Sequence, residues 1–140
     1  MKKTDLAYIA GIIDGEGCIG IYKGKSGRKK KEYYHLQVVV RMTNEWIIRW
    51  LYFAFPGSFS EHTYPKEINR LKIWTWQLTG EKALIFLELI YPYLKLKKQQ
   101  AEIAINFQKA KNIKNWATDE QIAINEAQKI MISNLKKECA

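Results

Sequence analysis

Two carboxylates, Asp14 and Glu16, stand near the end of a predicted helix and are separated by a single glycine. Apolar residues recur at helical spacing from about Thr4, a possible hydroxyl N-cap, until the glycines of residues 15–20 interrupt the pattern. Carboxylates at a helix C-terminus are unfavourable, because the helix dipole is negative there. A divalent cation, which prefers oxygen ligands, would compensate. The residues alone leave open a simpler alternative, a glycine helix end followed by surface acids.

The rest of the chain supplies the elements that must position this turn. Strands are predicted at about residues 19–22, 33–42, 58–63 and 71–78. Helices are predicted at about residues 4–15, 45–55, 80–91, 94–107 and 118–137. This order predicts an α+β fold, αββαββα with further helices after it, in which a four-stranded antiparallel sheet is covered by helices on one face and open on the other. We expect residues 1–140 to form one domain, with its core at about residues 5–110 and its last helix opened by a capping box at Thr118.

The charge balance favours a polyanionic partner. The chain contains 23 Lys and Arg against 14 Asp and Glu, a formal net charge of +9. Nucleic acid is one such partner, although ribosomal and membrane-surface proteins share this balance. Cys18 and Cys139 lie far apart, so neither a zinc site nor a disulfide is predicted. No apolar run or signal-peptide pattern is present, and we expect an intracellular protein of the cytoplasm, nucleoid or an organelle that is not secreted.

Residues 9–17 (IAGIIDGEG) resemble the LAGLIDADG signature at every position by residue type, with Ile9 for the opening Leu and Glu16 for the second Asp. Residues 42–44 (MTN) and 92–101 (PYLKLKKQQA) are similar to the single-motif subgroup of the LAGLIDADG homing endonucleases. The likeness covers about residues 8–110 and fades beyond about Lys111. It implies the homing-endonuclease fold, in which the open sheet face forms half of a DNA-binding saddle.

The resemblance also implies a metal site at the acidic turn. It assigns binding of the catalytic Mg²⁺ or Mn²⁺ to Glu16, with the backbone carbonyl of Gly15 as a possible second ligand. Asp14 is left as a structural or supporting acid. A polar residue often organises solvent before the second helix of the family, and Asn44 stands at that place. A plain N-cap role for Asn44 is the alternative.

A basic residue of the PYLKLK segment faces the active site in the family. Position matching assigns this role to Lys97, with Lys95 and Lys98 as rivals. A lysine there would stabilise the charge of the phosphorane formed during phosphodiester hydrolysis. Cations at the start of a helix are unfavourable without an anion, which favours a phosphate partner for this segment. The alternative for each of the three lysines is an ordinary solvated helix start.

A single motif contains half of the machinery for cutting two strands. The resemblance therefore implies a homodimer in which two motif helices pack through their small residues Ala7, Ala10 and Gly11. It implies a metal-dependent, site-specific endonuclease of double-stranded DNA that acts on a long pseudo-palindromic site and leaves short 3′ overhangs. The alternative is a non-cleaving nucleic-acid-binding protein of the same fold, such as an intron maturase or a DNA-binding regulator.

Matched positions and period-two alternation assign side chains to the DNA-facing side of the sheet. On the first three strands these are Tyr22, His35, Gln37, Arg41, Ser58, Ser60 and His62. Basic residues of the first hairpin are expected to contact phosphates: Lys25, Arg28, Lys29, Lys30 and Lys31. The phase of the fourth strand is ambiguous, because Trp74 and Trp76 share one face while Ile73, Thr75 and Gln77 share the other. Position matching turns the two tryptophans toward DNA, although paired tryptophans are more often core residues.

Overall fold

The computed structural model describes residues 1–27, 31–111 and 117–139. The helices are α1 (Lys3–Glu16), α2 (Glu45–Ala54), α3 (Gly80–Ile90), α4 (Lys98–Ala110) and α5 (Asp119–Cys139). The strands are β1 (Gly17–Ser26), β2 (Lys31–Met42), β3 (Ser58–His62) and β4 (Ile73–Thr79). Short 3₁₀ turns lie at Lys66–Ile68 and Tyr91–Tyr93. The predicted α+β element order is confirmed.

The four strands form one antiparallel sheet in the order β1-β2-β4-β3. Side chains alternate between its two faces with a period of two. On β2, Leu36, Val38 and Val40 are fully buried, whereas Arg41 of the opposite parity is exposed. The buried face packs against helices and the other face is open, as the sequence predicts.

The two tryptophans of β4 lie on the buried face, so the prediction that Trp74 and Trp76 contact DNA is wrong. The ladder pairs Trp76 with Val40 and thereby gives it the parity of the core. Trp76 is 0% exposed, packs edge-on against Phe86 with 5.1 Å between ring centroids, and donates its indole N–H to the Phe55 carbonyl at 2.9 Å. A buried indole with its one donor satisfied is a stable core residue. The open-face residues of β4 are consequently Ile73, Thr75 and Gln77.

Several element boundaries differ from the predictions: α4 begins at Lys98 and not at about residue 94, and two further differences have a clear physical reason. Thr4 lies inside α1 and is not its N-cap, because Lys2 takes that position without a side-chain capping bond. The polar residues after Tyr22 do not end β1 but continue its ladder with β2 as far as the Ser26–Lys31 pair. A regular ladder satisfies the backbone groups of these residues whatever their side chains, so polarity alone misplaced the strand end.

Helix α5 packs along the edge strand β1 and against α4. Thr118 opens it, since its hydroxyl oxygen accepts the Gln121 backbone N–H at 3.2 Å, but the Gln121 side chain donates to the Ala110 carbonyl, so the second bond of the predicted capping box is not formed. The Tyr34 hydroxyl of β2 donates to Glu126 at 2.6 Å, and burial together with this bond raises the pKa of Tyr34 to about 12. Among the described residues, no helix has the length and apolar character required to cross a membrane.

We predict that Trp76→Leu lowers the free energy of unfolding by about 3 kcal/mol, because it removes a fully buried ring and leaves the Phe55 carbonyl without its donor. Trp46 is 67% exposed, so Trp46→Leu should change stability by less than about 0.5 kcal/mol. Urea denaturation of both variants measures the difference. A Trp76→Leu protein of native stability that binds nucleic acid poorly would contradict the core assignment.

Candidate active site

The Asp14 carboxylate joins the end of α1 to the segment before α4. Its two oxygens accept the backbone N–H groups of Lys95 and Lys97, each at 2.9 Å. Hydrogen bonds to a charged acceptor are stronger than those between neutral groups. Residues that are more than 80 positions apart in sequence are thereby held at one turn. Asp14 consequently has the structural role that the sequence analysis left for it.

The Lys97 ammonium lies at the same turn. It donates to the carbonyl oxygen of Ile13 at 2.9 Å and to that of Gly17. A cation at these last carbonyls of α1 opposes the negative end of the helix dipole. Of the three candidate lysines, Lys97 is brought to the acidic turn, whereas Lys95 is exposed and Lys98 lies over the Tyr91 ring, 4.9 Å from its centroid.

Glu16 and Gly15 form the exposed last residues of this helix end. A Cβ on Gly17 would come within 2.8 Å of the Ile13 backbone, so glycine is needed where β1 leaves α1. Within the described ranges, no cluster of three or more His, Cys, Asp and Glu side chains could hold a metal ion. At this turn, each chain therefore presents the exposed Glu16 carboxylate and the neighbouring Gly15 carbonyl. These hard oxygen donors fit Mg²⁺ or Mn²⁺ if substrate phosphates or a second carboxylate complete the ligand set.

A cavity of about 260 Å³ opens beside the acidic turn. It is lined by Asp14, Gly15, Gly17, Cys18, Leu96, Lys97, Gln100 and Lys136. Burial acts to raise the pKa of the Cys18 thiol, but hydrogen bonds with Tyr22 and Lys136 and the charges of Lys136 and Lys97 hold that pKa below its ordinary value. Lys136 was missed by the sequence analysis, because α5 lies outside the resemblance and nothing local marks this lysine.

Asn44 caps α2, and its side-chain oxygen accepts the Ile47 backbone N–H at 3.0 Å. The N-cap alternative is thus present in the structure. A solvent-organising role for Asn44 at the active site stays a prediction.

The open face of the sheet brings together the predicted side chains of β1, β2 and β3. Tyr22 is paired with His35, Arg41 with Thr75, and Ser60 with Thr75. Ser58 and His62 share the parity of Ser60, and all three are exposed. Val39, whose partners are Cys18 and Gln77, and Ile73, whose partner is His62, are apolar residues on this face.

His35 and Gln37 form a polar pair on β2, with 3.3 Å between Nε2 of each side chain. Burial, and then the charge of Lys111, lower the pKa of His35, so the ring is neutral at pH 7. A neutral imidazole can donate and accept one hydrogen bond each. Nε2 of His35 pairs with Gln37 and Nδ1 is buried, so the Gln37 amide is the group of this pair that can meet a base edge.

The basic tip of the first hairpin is described only in part. Lys25 is exposed on β1. Arg28, Lys29 and Lys30 lie outside the described residues, as does the side chain of Lys31. Their assignment to phosphate contacts stays a prediction.

The exposed side of α1 is a stripe of small residues that includes Ala7 and Gly11. Ala10 is 0% exposed and faces the core of its own subunit, so its predicted place in a dimer interface is wrong. A groove of about 580 Å³ runs beside the stripe, between α1 and the segment before α4. Tyr8, 56% exposed, and Trp46, 67% exposed, form an exposed aromatic cluster with Trp50, which contacts both rings.

Comparison with solved structures identifies the fold. A crystal structure of the homing endonuclease I-CvuI in complex with the I-CreI target superposes with a TM-score of 0.77 at 19% identity, covering 95% of this chain and 82% of that one. The homing endonuclease I-TnaI gives a TM-score of 0.70 at 11% identity, with 96% and 97% coverage. The LAGLIDADG meganuclease I-AabMI, solved with uncleaved DNA, gives 0.68 at 20% identity, covering 88% of this chain and 44% of its own.

No protein-family model matches the chain, and the search of curated proteins found no match. The likeness to solved structures is therefore one of fold. The chain has the α+β fold of the LAGLIDADG homing endonucleases over most of its length. It spans about half the length of I-AabMI and nearly all of I-TnaI.

We predict that Asp14→Asn lowers the free energy of unfolding by about 2 kcal/mol, because the charged acceptor of two backbone N–H groups is lost. Glu16→Gln should change it by less than about 0.5 kcal/mol, since this exposed side chain has no comparable structural contact. Urea denaturation separates the two acids. An equal loss of unfolding free energy in both variants would contradict the assignment of a structural role to Asp14 and a chemical role to Glu16.

Proposed function

We propose that the protein is a site-specific, metal-dependent endonuclease of double-stranded DNA that acts as a homodimer. The observation on which this depends most is the turn after α1, where the Glu16 carboxylate is exposed and the Lys97 ammonium is held on the carbonyls of Ile13 and Gly17. The fold supports the proposal, because I-CvuI and I-AabMI have it and were solved with DNA. The expected site is long and pseudo-palindromic, and the expected products have short 3′ overhangs.

The chemistry requires an attacking water, stabilisation of the charged phosphorane and stabilisation of the departing 3′ oxygen. A divalent ion held by the Glu16 carboxylate and the Gly15 carbonyl would supply Lewis acidity toward water and phosphate oxygens. Lys97 provides positive charge for the phosphorane at the same turn. The Asp14 carboxylate keeps Lys97 in this position through the backbone of its segment. Asn44 would orient solvent as a secondary role.

DNA recognition is assigned to the open face of the sheet. Gln37 and Arg41 can form bidentate hydrogen bonds with adenine and guanine edges in the major groove. Thr75 and Gln77 of β4 replace the two tryptophans as the residues of that strand that face the bases. The net charge of +9 and the basic hairpin supply phosphate contacts, which position the protein without reading sequence.

A homodimer follows from the single acidic turn in each chain. Two copies that pack along the Ala7 and Gly11 stripe would place two Glu16 carboxylates near one symmetry axis, one for each DNA strand. Close helix packing requires small residues, and among the described residues no atom beyond the local helix backbone lies within 4 Å of a Cβ placed on Gly11. The stripe is thus free of contacts within its own subunit at this position.

We predict that Glu16→Gln reduces Mg²⁺-dependent cleavage by at least about 1000-fold, because the amide keeps the size of the side chain but loses the charge that binds metal. Duplex binding should be preserved. Since the target site is unknown, a plasmid library of random inserts supplies the substrate. Cleavage by the wild type and the variant is compared at saturating DNA, so that weak binding is not mistaken for lost chemistry.

Two outcomes would contradict the cleavage proposal. Cutting by Glu16→Gln at the wild-type rate would show that the catalytic metal is bound by other residues. A wild-type protein that binds duplex DNA yet never nicks it with Mg²⁺ or Mn²⁺ would support the non-cleaving alternative, an intron maturase or a DNA-binding regulator.

We predict that Gly11→Leu weakens the dimer at least about tenfold, because overpacking a close helix contact costs about 1 to 3 kcal/mol. The subunit itself has room for the new side chain. Lys82→Leu on the exposed side of α3 is the matched control and should not change association. Sedimentation velocity at micromolar concentration measures both. A wild type that is monomeric with and without DNA would exclude the homodimer.

A further inference from the structure

Helix α5 brings a lysine to the open face of the sheet. Ile132 is 1% exposed and anchors the helix, and Lys136 lies one turn further along it. The Lys136 ammonium donates to the Cys18 Sγ at 3.2 Å and lies 5.8 Å from the centroid of the Tyr22 ring. Cys18 and Tyr22 belong to the open face of β1, since their ladder partners are Val39 and His35. The ammonium is therefore on the side of the sheet to which we assign DNA.

The Cys18 thiol and the Tyr22 ring interact only weakly with the Lys136 ammonium. Throughout residues 1–27, 31–111 and 117–139, the ion pairs join other lysines and arginines to carboxylates, and Lys136 takes part in none of them. A thiol is a weak hydrogen-bond acceptor, and an aromatic ring attracts an ammonium only modestly. An anionic oxygen would form a shorter and stronger hydrogen bond. A half-buried lysine with such partners suits an anion that arrives from outside the subunit.

Lys136 shares its cavity with the acidic turn. The space of about 260 Å³ is lined by Lys136 and Lys97 and by Asp14, Gly15 and Gly17 of the turn. The two Asp14 oxygens there already accept the backbone N–H groups of Lys95 and Lys97. An anionic group that enters it meets two lysines from different segments of the chain, at the turn that contains Glu16 between Gly15 and Gly17. A phosphodiester of the DNA backbone has the charge and the acceptor oxygens for this place.

We propose that Lys136 binds a backbone phosphate of the DNA strand next to the Glu16 turn, so that α5 completes the phosphate-binding surface of the active site. The assignment rests on the proposed DNA-binding function and gives the C-terminal helix a part in it. Lys136 adds a contact that the motif helix and the sheet do not supply. Its contribution is binding and placement of the strand.

Duplex binding without catalysis tests the assignment. Affinity for a random-sequence duplex is measured in EDTA between about 50 and 200 mM salt for the wild type, Lys136→Met and Lys136→Arg. Each lost phosphate contact should reduce the slope of log affinity against log salt by about 0.9, or about 1.8 for a dimer with two copies of the lysine. Lys136→Arg should keep the wild-type slope, because arginine also contacts phosphate. Thermal unfolding verifies that each variant is folded.

A matched control separates local contact from net charge. Lys82→Met removes the same charge from α3, on the helical side of the sheet, and should leave the slope unchanged. A wild-type slope in Lys136→Met, or a reduced slope in Lys136→Arg, would overturn the assignment of Lys136 alone. A wild-type protein without salt-dependent duplex binding would overturn the DNA-binding function and this assignment together.

Discussion

The pair of hydrogen bonds from the backbone of Lys95 and Lys97 to the Asp14 carboxylate is the constraint on which the candidate site depends. It connects the motif helix to the start of α4 and so determines where the Lys97 ammonium lies. That ammonium in turn contacts the last carbonyls of α1, next to Glu16. One carboxylate thus serves structure, and the other, Glu16, is the exposed acid to which we assign metal binding. The two acids are separated only by Gly15, and they differ in the described structure because the Asp14 carboxylate accepts two backbone N–H groups.

The two faces of the sheet differ in role: one forms the core and the other carries accessible polar side chains. One face contains aliphatic and aromatic residues that pack against the helices, and Trp76 and Phe86 lie at its centre. The other face keeps polar side chains such as Gln37 and Arg41 accessible. Because the core needs only one face, the open face can vary in sequence without loss of stability. A site that reads DNA can be built there on a rigid support.

The sequence predicted the element order, the open face of the first three strands and the acidic turn, because each has a short-range signature. The prediction failed where strand pairing or helix packing determines which way a side chain faces. Trp74 and Trp76 alternate with side chains that suit either face, and only the pairing of Trp76 with Val40 assigns them to the core. Ala10 and Gly11 are both small, and only the orientation of α1 about its axis makes Ala10 buried and Gly11 exposed. Lys136 reaches the site through the packing of α5, which no local pattern reveals.

The location of the metal tests the account most directly. Crystals of the protein with its selected DNA site and Mn²⁺ would give the metal position by anomalous scattering. We predict manganese peaks about 2 Å from the Glu16 carboxylates of two copies that are related by a two-fold axis, between the DNA strands. Manganese bound away from Glu16, or two copies whose acidic turns lie at opposite ends of the complex, would contradict it.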